Sequence, residues 1–226
     1  VATIPTDSFD PLELYHVLFK AYGPSLWWPG DSPFEIMLGA VLTQNTAWTN
    51  VEKAIENLRT HDMLGLDAIH HAGLDDLAAL IRPSGYYNIK AGRIRNLTQK
   101  IIDVSQGSLD EFFSMDLDML RSTLLEVKGV GKETADSICC YAADKEIFVI
   151  DAYTRRILER HKVIDSSWEY DDIRQLFEQR LPLDLVVYKD LHAYMVFLGK
   201  DYCRKKMPCC DGCPLAIDMP AAAAKQ

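Results

Sequence analysis

The 226-residue chain has no uninterrupted apolar run approaching the length of a membrane span. Its first stretch, Val1 to Asp10, offers neither a cationic segment nor an apolar core of the kind a secretion signal needs. These two absences lead us to expect a cytoplasmic protein with no membrane partner, working as a monomer. Convincing strand patterns are almost missing too, while apolar residues recur at helical spacing along most of the sequence, so the expected class is all-α. There is no internal repeat, heptad pattern or low-complexity linker. The histidines (His16, His61, His70, His71, His161 and His192) are scattered without the spacing of a helical zinc site. Positive charge is in short supply: 24 Lys and Arg against 33 Asp and Glu give a formal net charge of −9 and a pI near 5.1. That balance argues against indiscriminate binding to polyanions.

With hydrophobic residues at 48%, the chain has enough apolar surface for a packed core. Asp10-Pro11 opens a helix over 12–22 that Gly23-Pro24 stops, and Ser32-Pro33 opens another that reaches Thr43. Helical patterns follow at 48–60, 64–70 and 74–81. A long basic helix then runs from Tyr86-Tyr87-Asn88 to about Ser105, and shorter segments cover 109–113 and 117–125. Beyond Asp151 the pattern resumes to about His161, then at 170–180 and 185–200. Cys139 and Cys140 read as small apolar residues inside a helix. The last stretch, Met219 to Gln226, reads as a disordered tail.

The residues between Leu124 and Arg160 carry the most information. Gly129-Val130-Gly131 makes a tight turn between two helical segments, with backbone N–H groups open to one phosphate, and a β-branched run (Ile147 to Ile150) delivers Asp151 before the next helix. A lone Gly-x-Gly turn is a weak signal. The fuller pattern is Leu-x-x-Val-Lys-Gly-Val-Gly-Lys-x-Thr-Ala followed by Val-Ile-Asp-Ala-Tyr-Thr-Arg-Arg. It resembles the helix-hairpin-helix and catalytic-aspartate signature of the endonuclease III superfamily of DNA glycosylases (HhH-GPD). The aromatic loop Trp27-Trp28-Pro29, the stretch Leu42-Thr43-Gln44-Asn45-Thr46 and Trp48 resemble the 3-methyladenine glycosylase branch.

Several assignments are implied by that resemblance. Asp151 is the catalytic residue, although an Asp before a helix is also a common N-cap. Trp27, Trp28, Pro29, Trp48 and Glu133 are the base pocket, with the tryptophans either stacking on a flipped base or packing over the core. Gln44 is the side chain that fills the gap left by the flipped nucleotide, and Tyr86 is the wedge that opens the duplex. Gly129, Val130, Gly131, Lys132 and Arg156 contact DNA. Basic residues beside these motifs (Lys90, Arg93, Arg95 and Lys100; Lys128 and Lys132; Arg155 and Arg156; Lys200, Arg204, Lys205 and Lys206) suggest a DNA-facing side on an acidic protein. One departure bears on mechanism. Lyase-active members carry a lysine where this chain has Glu133, so Schiff-base strand cleavage is not expected.

Cys203-x6-Cys210-x2-Cys213 matches the first three positions of the family's iron–sulfur motif, but Met219 stands at the fourth. The resemblance implies a 4Fe-4S cluster on Cys203, Cys210 and Cys213 with Cys209 as fourth ligand. Zinc on the same thiolates, or a degenerate site, is the alternative. The expected architecture has two helical lobes with a central cleft: a barrel over 33–145 with the hairpin, and a discontinuous domain of 1–32 plus 146–226 carrying the cysteine loop. The expected function is a monofunctional glycosylase of base excision repair acting on alkylated purines in double-stranded DNA. A mismatch thymine, uracil or adenine glycosylase and a non-catalytic hairpin DNA-binding protein are the alternatives.

Overall fold

A computed structural model describes residues 9–25 and 27–216. The expected tail from Met219 lies outside the described residues. The elements are α1 (Pro11–Tyr22), α2 (Pro33–Leu42), α3 (Trp48–Thr60), α4 (Leu66–His71), α5 (Leu74–Leu80), a 3-10 turn (Arg82–Ser84), α6 (Tyr87–Ser105), α7 (Leu109–Ser114), α8 (Leu117–Leu125) and α9 (Lys132–Ser137). After α9 come a π turn (Ile138–Ala142), α10 (Ala152–Arg160), α11 (Tyr170–Glu178) and α12 (Leu185–Asp201). Among the described residues there is no strand, in keeping with the all-α expectation. The β-branched run Ile147–Ile150 is buried but unpaired, an apolar connection rather than a sheet.

Local chemistry sets the helix starts. Asp10 accepts from the N–H groups of Leu12 (2.8 Å) and Glu13 (3.3 Å) with Pro11 behind it, and Ser32 accepts from Glu35 N at 3.2 Å ahead of Pro33. Asp116, Asp151 and Asp184 cap α8, α10 and α12 in the same way.

The chain divides into two compact units, one made of residues up to Trp28 together with those from Glu146 onward, the other of Pro29–Lys145. In the second unit α2 is the centre. Phe34, Met37, Leu38, Ala40, Val41 and Leu42 are all buried, as befits a helix apolar on every side, and α3, α6, α9 and the π turn pack on it. The π turn replaces the regular helix expected around Cys139 and Cys140. Its wider hydrogen-bond span, from Ala143 N back to Ile138 O at 3.1 Å, accompanies burial of all five of its residues.

In the first unit α12 plays the central role, with α1 and α10 against it and Tyr188, Leu191, Tyr194, Met195 and Leu198 in the core. Phe148 stacks on Phe177 with ring centroids 4.3 Å apart. Gly199 on α12 lies against Tyr153 of α10 so closely that a Cβ would collide with the ring.

Candidate nucleic-acid interface and active site

The hairpin turn follows from its glycines and is held from behind. Gly129 has φ +101°, which favours glycine, and a Cβ there would strike the Arg93 side chain. Asn96 Nδ2 of α6 donates to Lys128 O at 3.0 Å, and Gln44 Nε2 donates to Gly129 O at 3.2 Å and to Thr134 Oγ1 at 2.9 Å. Arg93 Nη1 in turn donates to Gln44 Oε1. Gln44, read from sequence as the gap-filling side chain, is thus folded onto the hairpin in this structure. Val130 is buried and its N–H donates to Val127 O at 3.0 Å, so it stabilises the turn, while Gly131, Lys132 and Glu133 are exposed at the start of α9.

Behind this surface the structure corrects the reading of α6 as a basic face turned to DNA. Lys90 is 1% exposed and donates from Nζ to Leu42 O, Thr46 Oγ1 and Ser84 O, each at 2.7 Å. Arg95 donates to Ala72 O and Lys100 pairs with Glu126 at 2.5 Å. These cations are engaged by the protein itself, Lys90 inside the fold and Arg95 and Lys100 nearer its surface, because carbonyls and carboxylates from distant segments meet them, which helical periodicity cannot reveal. Tyr86, the expected wedge, caps α6 in the left-handed region (φ +46°) and is 68% exposed. Tyr87, which reads from sequence as a core residue, is half-buried with the Arg82 guanidinium 5.8 Å over its ring. Trp48 opens α3 and is half-buried.

In the other unit, Asp151 is the N-cap of α10. Its Oδ1 accepts from Thr154 N at 2.7 Å, and its Oδ2 lies 3.9 Å from Nε2 of His192, a buried histidine on α12. Burial holds the His192 pKa below its ordinary value, and the Asp151 charge opposes that shift. Sequence reading treated His192 as one scattered histidine, because nothing in its spacing marks a neighbour on another helix. Trp27 and Trp28 are half-buried beside each other, ring centroids 5.7 Å apart, and Trp27 meets Phe197 of α12 edge-on at 5.8 Å. The segment ahead of them is tied to α12. Ser25 N and Oγ donate to the buried Asp190 carboxylate at 3.1 and 2.7 Å, and Tyr194 Oη donates to Gly23 O at 2.6 Å.

Arg156, expected at DNA, braces the cysteine loop: Nε donates to Cys203 O at 2.8 Å and Nη2 to Gly199 O at 3.1 Å, with the guanidinium 5.0 Å over the Tyr153 ring. Arg160 donates to Cys203 Sγ at 3.2 Å and to the carbonyls of Arg204 and Lys205 at 2.7 and 2.9 Å. The loop closes on itself where Cys209 N meets Tyr202 O at 2.8 Å. Cys203 is buried, Cys213 half-buried, and Cys209 and Cys210 are exposed. Among the described residues no three ligating side chains are gathered as a metal site, and Met219 lies outside those residues.

Known proteins resemble this chain over most of its length. A protein of Methanocaldococcus jannaschii named as a DNA repair glycosylase is 47% identical over 205 residues, 90% of this chain and 92% of its own. Endonuclease III of Sulfolobus acidocaldarius is 30% identical over 80% of this chain and 78% of its own. The crystal structure of H. pylori 3-methyladenine DNA glycosylase bound to 1,N6-ethenoadenine superposes with a TM-score of 0.74. It is 32% identical, with 85% of this chain and 98% of that one covered. The model of the HhH-GPD superfamily base excision DNA repair proteins matches residues 38–183, a span that takes in the second half of α2, the hairpin and Asp151, and the chain belongs to that superfamily.

Proposed function

We propose that this protein is a monofunctional DNA glycosylase that flips an alkylated purine such as 3-methyladenine out of double-stranded DNA and removes it by hydrolysis. The observation that carries the reading is Asp151, fixed by its cap bond to Thr154 N with its second oxygen 3.9 Å from Nε2 of the buried His192. A carboxylate so placed stabilises an oxocarbenium-like sugar and takes a proton from the attacking water. No amine is needed for that step. Glu133 stands at the position where a Schiff-base lysine would be, so the strand is left uncut.

An alkylated purine is cationic and leaves readily, so selective binding matters more than a strong general acid. The indoles of Trp27, Trp28 and Trp48, with Pro29 and Glu133, are assigned to recognition of the base; an indole face attracts a cation by about 0.5–2 kcal/mol. The likeness to a 3-methyladenine DNA glycosylase supports this choice of substrate. The hairpin amides of Gly129 and Gly131, with Lys132, are assigned to a phosphate, and Gln44 and Tyr86 to the opened duplex. Val130 and Arg156 serve the interface indirectly, by shaping the turn and holding the cysteine loop.

The donor set of that loop fits a thiophilic centre. Four thiols lie between Cys203 and Cys213 on a closed loop, with the Arg160 guanidinium donating to Cys203 Sγ. Cys203, Cys210 and Cys213, with Cys209 as fourth ligand, would hold a 4Fe-4S cluster that ties the loop to the end of α12. Iron and acid-labile sulfide in purified protein check this, and a colourless protein with stoichiometric zinc would overturn it.

A panel of duplexes carrying methylated adenine, ethenoadenine, uracil, mismatched thymine or mismatched adenine tests the substrate. Release of the alkylated purines is expected, without a borohydride-trapped adduct. Release of uracil, thymine or unmodified adenine alone would replace this reading with a mismatch glycosylase, and binding with no release would replace it with a non-catalytic DNA-binding protein.

A further inference from the structure

A lysine 1% exposed is expensive, since desolvating an ammonium costs several kcal/mol unless its donors are met. Lys90 meets all three. Leu42 O is the last carbonyl of α2, a helix C-terminus that favours a cation. Thr46 Oγ1 belongs to the connection that carries Gln44, and its hydroxyl also donates to Ser84 O. Ser84 O ends the 3-10 turn, and Gly85 (φ +65°) and Tyr86 (φ +46°) follow it. The Lys90 backbone adds a fourth tie, its N–H donating to Tyr86 O at 3.0 Å. One residue therefore touches both short connections that bear the side chains assigned to the opened duplex, and the three bonds at 2.7 Å leave their spacing little freedom. A surface role would need none of this.

We propose that Lys90 is a positioning residue for duplex opening: its buried ammonium fixes the Gln44 connection against the Tyr86 connection, so that gap filling and wedging act as one step. The proposal rests on the assignment of Gln44 and Tyr86 above. Opening sets the geometry in which a paired base reaches the site, whereas a base already unpaired does not need it.

The test uses the full chain and two variants, Lys90→Met and Thr46→Val. The second keeps the ammonium and both carbonyls, and so carries the comparison if the first fails to fold. Single-turnover excision is measured on an alkylated purine in a fully paired duplex and on the same lesion in a bulge. Fluorescence of 2-aminopurine beside the lesion reads opening without any need for excision. The variants are expected to lose about tenfold to a hundredfold on the paired lesion, with a matching loss of the fluorescence rise, and to stay within about threefold of wild type on the bulge. Equal losses on both substrates, or an unchanged paired rate and fluorescence, would overturn the proposal. Should wild type open the duplex yet release no alkylated purine, the substrate assignment fails, while the fluorescence comparison still decides the role of Lys90.

Discussion

Asp151, proposed for the chemistry, also caps α10, and the two uses would separate by substitution. Asn retains the oxygen that accepts from Thr154 N but loses the charge, whereas Ala loses both. Asp151→Asn should therefore keep the urea midpoint near wild type while excision falls by about 10²-fold or more. Asp151→Ala should add a loss of about 1 kcal/mol in stability. Equal activity of Asp151→Asn and wild type would remove Asp151 from the reaction. The cap role of Asp151 was legible from sequence because its signal is local: a carboxylate just before an amphipathic run. Lys90 was not, because a lysine on a polar helix reads as solvated, and its burial is decided by Leu42, Thr46 and Ser84, all remote in sequence. The same reason hid the engagement of Gln44 by Arg93 and the approach of His192 to Asp151.

At the scale of elements, helix positions were readable within a residue or two, because Asp, Ser and Pro mark their starts and glycine the end of α1. The π turn after α9 was not, since its cause is the packing of five residues rather than any breaker in the sequence. The hairpin itself depends on close approach as well as on turn geometry. Gly129→Ala places a Cβ at φ +101° and against Arg93, whose guanidinium also holds Gln44. We expect this substitution to weaken duplex binding at least tenfold and to lower stability by about 1–3 kcal/mol. Fluorescence anisotropy with an uncleavable lesion analogue and urea unfolding measure the two effects. A variant that binds like wild type would show that the turn does not hold DNA.

For the whole molecule, charge sets the response to solution conditions. Burial lowers the pKa of both His161 and His192 from the usual histidine value. Below about pH 6.5 the unfolded chain takes up protons that the folded chain resists, so stability falls as pH drops through that range and is unaffected by these groups above it. Urea midpoints between pH 7 and pH 5 should show the decline, shallower in His161→Gln. A flat profile would place both groups in ordinary surroundings.

The salt response follows from the cations that the protein itself engages. Lys90, Arg95, Lys100, Arg156 and Arg160 are engaged by the protein's own carbonyls, carboxylates and sulfur, which lowers the number of cations open to phosphates on a chain of net charge −9. Binding to undamaged duplex should then show a log–log salt slope of magnitude below about 4, a handful of phosphates at roughly 0.9 each. A steeper slope would reveal a larger basic footprint.

The consequence of that internal use of cations is kinetic. A protein that grips the backbone lightly leaves ordinary sequence quickly, so its search of a genome proceeds by many brief visits rather than long slides. A lesion is then told from intact DNA by how long the protein stays.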